Sequence, residues 1–368
     1  MKRKICLLLA AAAITSPAYS QAKNIILFIG DGAGISSLNA ASIYGYGKPQ
    51  ALYIQKMPHL ALADTSTARE WVTDGAACAS AWATGHKTRN GVVSMSADAE
   101  RDVRDGTIYK TVMEYAMEHG LATGVVSNED KAGVTDAVVS AFYAHHNNRS
   151  RSADIFQQAL QPKFGTGLDL MIGTGRRLIT GEAAKGGHDV AADVRSKKYL
   201  YLDSLAAVAQ APKEARVIAL LDDEQFDFTT AVQEAVTRLS RNPKGFLLVA
   251  HSDCHTGKTR TSLQRIIDLD KALAAVAEPL KNNTLILFTA DHSYDLRIKG
   301  ESLTETSKES DHKKIVSIVS LEDEHTAEEV PFLGMGPGSE RIGGFISNTD
   351  VFRVMMANFG WGEETARR

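Results

Sequence analysis

The sequence predicts an α/β fold: a doubly wound, mostly parallel central sheet flanked by helices. Three observations carry that expectation. Apolar runs recur that finish on acids or histidines, helical patterns long enough for a crossover lie between them, and the composition suits a well-buried core. The chain has 368 residues, 44% hydrophobic and 23% charged, enough for one large α/β domain or two ordinary ones.

In chain order, the first segment carries Lys2, Arg3 and Lys4, an apolar run from Ile5 to Ile14, and small residues at Ala18 and Ser20. That order describes a secretory signal peptide over residues 1–20, cut after Ser20, with a run too short to span a bilayer. A periplasmic or secreted protein is therefore expected, with no membrane contact once the signal is removed, and residues 21–368 are expected to form one domain. Removing the three cations lowers the basic count from 41 to 38 against 44 acids, a net charge near −6 with histidine neutral. No basic face for a nucleic acid is expected. Cys6 leaves with the signal; Cys78 and Cys254 remain, able to pair in an oxidising compartment but too few for a disulfide scaffold.

Asn24 to Ile29 is a continuous apolar run ending in Gly-Asp-Gly-Ala-Gly, the pattern of a buried parallel strand that delivers a polar residue into a turn. The same design recurs at Leu121 to Asp130, Gly245 to His255 and Thr284 to Ser293. Helices are expected between them at Thr107 to His119, Phe228 to Leu239 and Leu263 to Leu280. Strand, polar tip and helix in repetition place a site at the carboxyl ends of the strands. Arg151 to Glu224 is mixed and glycine-rich in places, and reads as an insertion packed on the sheet.

Asp31 and the Asp291-His292 pair stand at strand tips. With His325 they supply the carboxylate and imidazole mixture that binds a zinc-like ion with one position open. Taken singly, an aspartate after a strand is as often a helix N-cap. His251, Asp253, Cys254 and His255 crowd a third tip with further donors. Arg149 offers a guanidinium that can fork onto two oxygens of a phosphate.

Together, "NIILFIGDGAG", "VTDGAACASAWATGHKTRNGVVS", "AFYAHHNNR", "LFTADH" and "HTAEEVPFLGMGPGSE" resemble, in this order, segments of the alkaline phosphatase family. The resemblance implies an exported phosphomonoesterase with two zinc ions and one magnesium ion, often a homodimer, which forms a phosphoserine. It implies metal-ligand roles for Asp31, Asp291, His292 and His325, and a phosphate clamp at Arg149. Asp74 and Asp136 are expected to stand behind these residues.

The departures cluster at the chemistry. Gly75 occupies the position of the family's serine nucleophile, His251 that of its magnesium glutamate, and Val138 that of a magnesium-binding threonine. The magnesium site is thus short of two hard oxygen ligands. His251, Asp253 and His255 are all candidates to complete a site with His325, and their pairing stays open. The expected function is hydrolysis of a small phosphoric ester by an ion-activated water, with two zinc ions, the glycine leaving space for that water. The alternatives are a phosphoester-binding pseudoenzyme that turns nothing over, and a sulfatase- or phosphodiesterase-type hydrolase.

Overall fold

The computed structural model describes residues 21–222, 227–299 and 319–362, so the expected signal peptide lies outside the described residues. The apolar runs become strands: β1 (Asn24–Asp31), β2 (His59–Ala63), β3 (Ala122–Ser127), β4 (Leu170–Gly173), β5 (Leu200–Leu202) and β6 (Val217–Leu220). They continue with β7 (Phe246–Asp253), β8 (Thr284–Thr289), β9 (Ser293–Ile298), β10 (Val319–Thr326), β11 (Val330–Met335) and β12 (Gly344–Ile346).

Ten of these form one sheet in the order β12-β2-β11-β8-β1-β7-β3-β4-β6-β5. From β8 to β5 every pairing is parallel, while β11 runs antiparallel to both β8 and β2. Every residue of β1, β3, β4, β6, β7 and β8 is buried. Those strands therefore read as continuous apolar runs, as a sheet covered on both faces requires. The remaining strands, β9 and β10, make a separate antiparallel ribbon.

The helices follow from stripes and caps. Phe228–Leu239 buries Phe228, Ala231, Val232, Ala235 and Leu239, a spacing of three and four that lays one face on β3. The long helix Thr259–Leu280 packs on β7 and β1 and begins one turn before the apolar stripe does. The helix expected over Thr107 to His119 is shorter, Val112–Glu118. A capping box sets its start: Glu114 N–H donates to Thr111 Oγ1 (3.1 Å) and Thr111 N–H to Glu114 Oε2 (2.9 Å).

One expectation is corrected. The stretch from Arg151 does not pack on the sheet; it supplies β4, β5 and β6 and so extends it. The strands were hidden because each has only three or four residues, too few to show a period.

The connection after β3 turns at Gly133, whose φ of +55° lies in the left-handed region and whose added Cβ would stand 2.0 Å from backbone atoms of Thr174. No side chain fits there, and three residues later the turn delivers Asp136. Gly133→Ala is expected to destabilise the fold by at least about 2 kcal/mol in urea unfolding, since both the backbone conformation and the contact are unfavourable.

Candidate active site

Because β1, β7 and β8 lie side by side, their carboxyl ends converge, and the registers Asp31 with Asp253 and Ile29 with both His251 and Thr289 bring the three tips level. Asp291 and His292 follow β8 directly. Asp291 Oδ1 accepts from the N–H of Gly32 (3.1 Å) and of His292 (3.0 Å), tying the turn after β1 to the turn after β8. Its second oxygen, Oδ2, is left 3.3 Å from His292 Nε2.

His325 reaches the same place on the β9–β10 ribbon. Its Nδ1 lies 3.1 Å from the carbonyl of Thr73, and His292 Nδ1 lies 3.0 Å from the carbonyl of Ser293. A carbonyl only accepts, so in each neutral ring Nδ1 carries the proton and Nε2 keeps its lone pair. The two rings stack with centroids 3.5 Å apart. His255 stands beside them, its Nε2 2.8 Å from Asp31 Oδ1.

Among the described residues, three groups of side chains have ligand atoms within 4.8 Å of one another: His255, His292 and His325; Asp31, Asp291 and His292; and Asp31, Asp136 and His251. Asp31 Oδ1, Asp291 Oδ2, His251 Nε2 and His292 Nε2 are all buried without a hydrogen-bond partner. Orphaned polar atoms are rare inside proteins because each is strongly disfavoured. Four of them spread over two groups that share Asp31, from imidazoles and carboxylates, fit the donor set of zinc-like ions. His292 Nε2 serves only one ion. The arrangement therefore offers Asp31, Asp291 and His292 for one ion and His255 with His325 for another, leaving that second ion open positions.

The electrostatics follow the same demand for positive charge. Burial disfavours the charge on His255, yet Asp31 lifts its pKa to about 11. Burial opposes ionisation of Asp31 as well, but the charge on His255 and the imidazoles of His251, His255 and His292 around it hold it well below the usual carboxylate range. Burial, reinforced by Asp31, pushes Asp291 up to about 7. His325 is brought down to about 4 by burial and then by the charge on His292.

Arg149 is held by two helix N-caps. Asp74 caps Gly75–Thr84 by accepting from Ala77 N–H (2.9 Å), and its other oxygen accepts from Gly91 N–H (2.9 Å) and Arg149 Nη1 (3.0 Å). Asp136 accepts from Val138 N–H (2.9 Å) at the start of Ala137–Ser140 and from Arg149 Nη2 (3.1 Å). Each carboxylate thus spends one oxygen on its own helix and one on the guanidinium, which remains partly exposed.

Two readings of this region are corrected. Gly75 begins its helix in the expected place, but it does not leave open space: a Cβ there would lie 2.6 Å from Val138 Cγ2 and 3.0 Å from Asp291 Oδ2. Val138 is fully buried and its methyl occupies the room a nucleophile's side chain would need. Nor does Asp253 stand in any of the three groups among the described residues. It is turned to the guanidinium of Arg265, Oδ2 to Nη1 at 3.1 Å, with Asp130 on the other nitrogen of that guanidinium. In the donor groups, His255 lies with His325, and His251 lies with Asp31 and Asp136.

Arg265 escaped the sequence reading, although an arginine immediately before Ile266 and Ile267 in an apolar stripe was a visible signal of a buried charge. Cys78 and Cys254 are both free and buried. Burial, with Asp291 adding to it at Cys78 and Asp253 at Cys254, pushes both thiols up, away from nucleophilic thiolate.

The family model for alkaline phosphatase matches residues 22–319. The chain belongs to the alkaline phosphatase family. It is 27% identical to the alkaline phosphatase of Escherichia coli strain K12 over 92% of this chain and 86% of that protein. To the streptomycin-6-phosphate phosphatase of Streptomyces griseus it is 27% identical over 94% of each. Among solved structures, a variant of the TAB5 alkaline phosphatase, described with Mg bound in its M3 site, superposes with a TM-score of 0.75 at 25% identity, covering 93% of this chain and 99% of that one. This member of the family is accordingly a phosphatase-like hydrolase with an alkaline-phosphatase-like fold.

The contact between Gly75 and Val138 is open to test. Gly75→Ser is expected to destabilise the chain by about 1–3 kcal/mol through overpacking. The penalty should shrink in a Val138→Ala background, so chemical unfolding of the single and double variants will give a coupling energy of opposite sign to the single substitution. Additive losses would mean that the two positions do not contend for the same space.

Proposed function

We propose that this chain hydrolyses a small phosphoric ester in one displacement, without a covalent phosphoenzyme. The observation that carries the reading is the combination of four buried polar atoms without hydrogen-bond partners at the strand tips with a glycine, closed off by Val138, at the nucleophile's position. No hydroxyl or activated thiol stands there to be phosphorylated.

Two zinc-like ions are proposed, one on Asp31, Asp291 and His292 and the other on His255 and His325. When bound, such ions neutralise phosphate charge and lower the pKa of water. The magnesium described for the TAB5 relative supports metal dependence in general. The chain's own residues divide the remaining work. Arg149 grips two phosphate oxygens, and Asp74 and Asp136 hold it so that little orientational freedom is lost on binding. Asp291 keeps the turns after β1 and β8 in register, and the Thr73 and Ser293 carbonyls aim the lone pairs of His325 and His292. The streptomycin 6-phosphate of the Streptomyces griseus relative supports a small organic phosphate as substrate class. Export to the periplasm or beyond is proposed on the basic, apolar and small-residue order of residues 1–20.

Stereochemistry tests the reading. An ester made chiral at phosphorus with oxygen isotopes is expected to give inverted phosphate; retention would mean a covalent intermediate and overturn the single displacement. Absence of turnover across monoester, diester and sulfate panels would return the chain to a binding role.

Arg149→Ala is expected to weaken inorganic phosphate binding by roughly 10- to 100-fold, the worth of a charge-assisted hydrogen bond. Metal content measured on the same preparation should not change, because the guanidinium contacts oxygens of the ligand.

A further inference from the structure

The two proposed ions draw on two of the three donor groups. The third, Asp31, Asp136 and His251, lies toward β3, where the alkaline phosphatase family has its magnesium, and all three side chains are buried. Magnesium asks for near-octahedral coordination by hard oxygens. Here one of the three protein donors is an imidazole, and Val138, which follows Asp136 by two residues, offers only methyl groups. The residues present do not fit magnesium.

They fit another class of ion. His251 is fully buried, and its Nε2 has no hydrogen-bond partner while facing Asp31 Oδ2 at 3.5 Å. On the other side of the ring, Nδ1 lies 3.0 Å from Ser127 Oγ, the side chain directly opposite it in the β3–β7 register. With Nδ1–H donating to that hydroxyl, Nε2 points its lone pair at the two carboxylates, the arrangement by which ligating histidines are oriented. Imidazole with carboxylate favours zinc, cobalt and their neighbours over magnesium.

We propose that Asp31, Asp136 and His251 form a third site that takes a transition-metal ion and excludes magnesium. This rests on the two-ion reading of the neighbouring groups, because Asp31 is common to both.

The test is a count of ions on full-length mature protein stripped with a chelator and reloaded with Co2+, by equilibrium dialysis with elemental analysis and by visible absorption of the bound cobalt. Three ions per chain are expected, falling to two in His251→Ala, with millimolar Mg2+ failing to displace the third. His251→Glu, which exchanges nitrogen for oxygen, is expected to lose one Co2+ and gain one Mg2+; it carries the test should His251→Ala not fold. Two Co2+ in the unaltered protein, three retained in a folded His251→Ala, or Mg2+ displacing the third ion would each overturn the third site and leave the two-ion reading intact. Fewer than two Co2+ in the unaltered protein would overturn both.

Discussion

Carboxylates do not gather in a dry interior unless positive charge holds them there. Asp31, Asp136, Asp253 and Asp291 are all at least nine-tenths buried and lie within one neighbourhood at the carboxyl end of the sheet. Most of the surrounding structure answers that concentration of charge. Arg149 is shared by Asp136 and Asp74, Arg265 by Asp253 and Asp130, and three imidazole nitrogens lie within 3.5 Å of Asp31. The arginines are permanent cations fixed by hydrogen bonds. The histidines are exchangeable ones, able to carry either a proton or an ion at the same nitrogen.

This division separates scaffold from chemistry. Asp253 stands at a strand tip but is paired with a permanent cation, Arg265, whereas Asp31 is faced by imidazoles alone. Gly75 and Val138 likewise make sense only as a pair. A side chain at the helix start would run into the methyl of Val138 and the carboxylate of Asp291, so the valine is accommodated there only because position 75 carries none.

Much of the fold was legible in the sequence because buried parallel strands announce themselves as apolar runs with polar tips, and β1, β7 and β8 have six to eight buried residues each. The tips located Asp31, Asp291 and His292 for the same reason. What stayed hidden depended on rotamers and on contacts between distant residues. Whether Asp253 or His255 faces His325 is decided by Arg265 on the following helix, and the methyl of Val138 meets Gly75 across 63 positions of sequence. The role of His251 was obscured by neighbours of equal chemical promise; only its register opposite Ser127 shows which way the ring is aimed.

The order of strands has a consequence for how the chain comes into being. β1 is the first of the described strands to leave the ribosome, yet its two partners are β7 and β8, more than two hundred residues later. Throughout synthesis its apolar residues have no sheet to join, and the ladder that would protect them closes only when nearly three hundred residues are present. Such long-range pairing slows folding and leaves time for aggregation. A nascent chain of this design benefits from being kept unfolded until it is complete, and its charged centre is assembled from its earliest and its latest parts together.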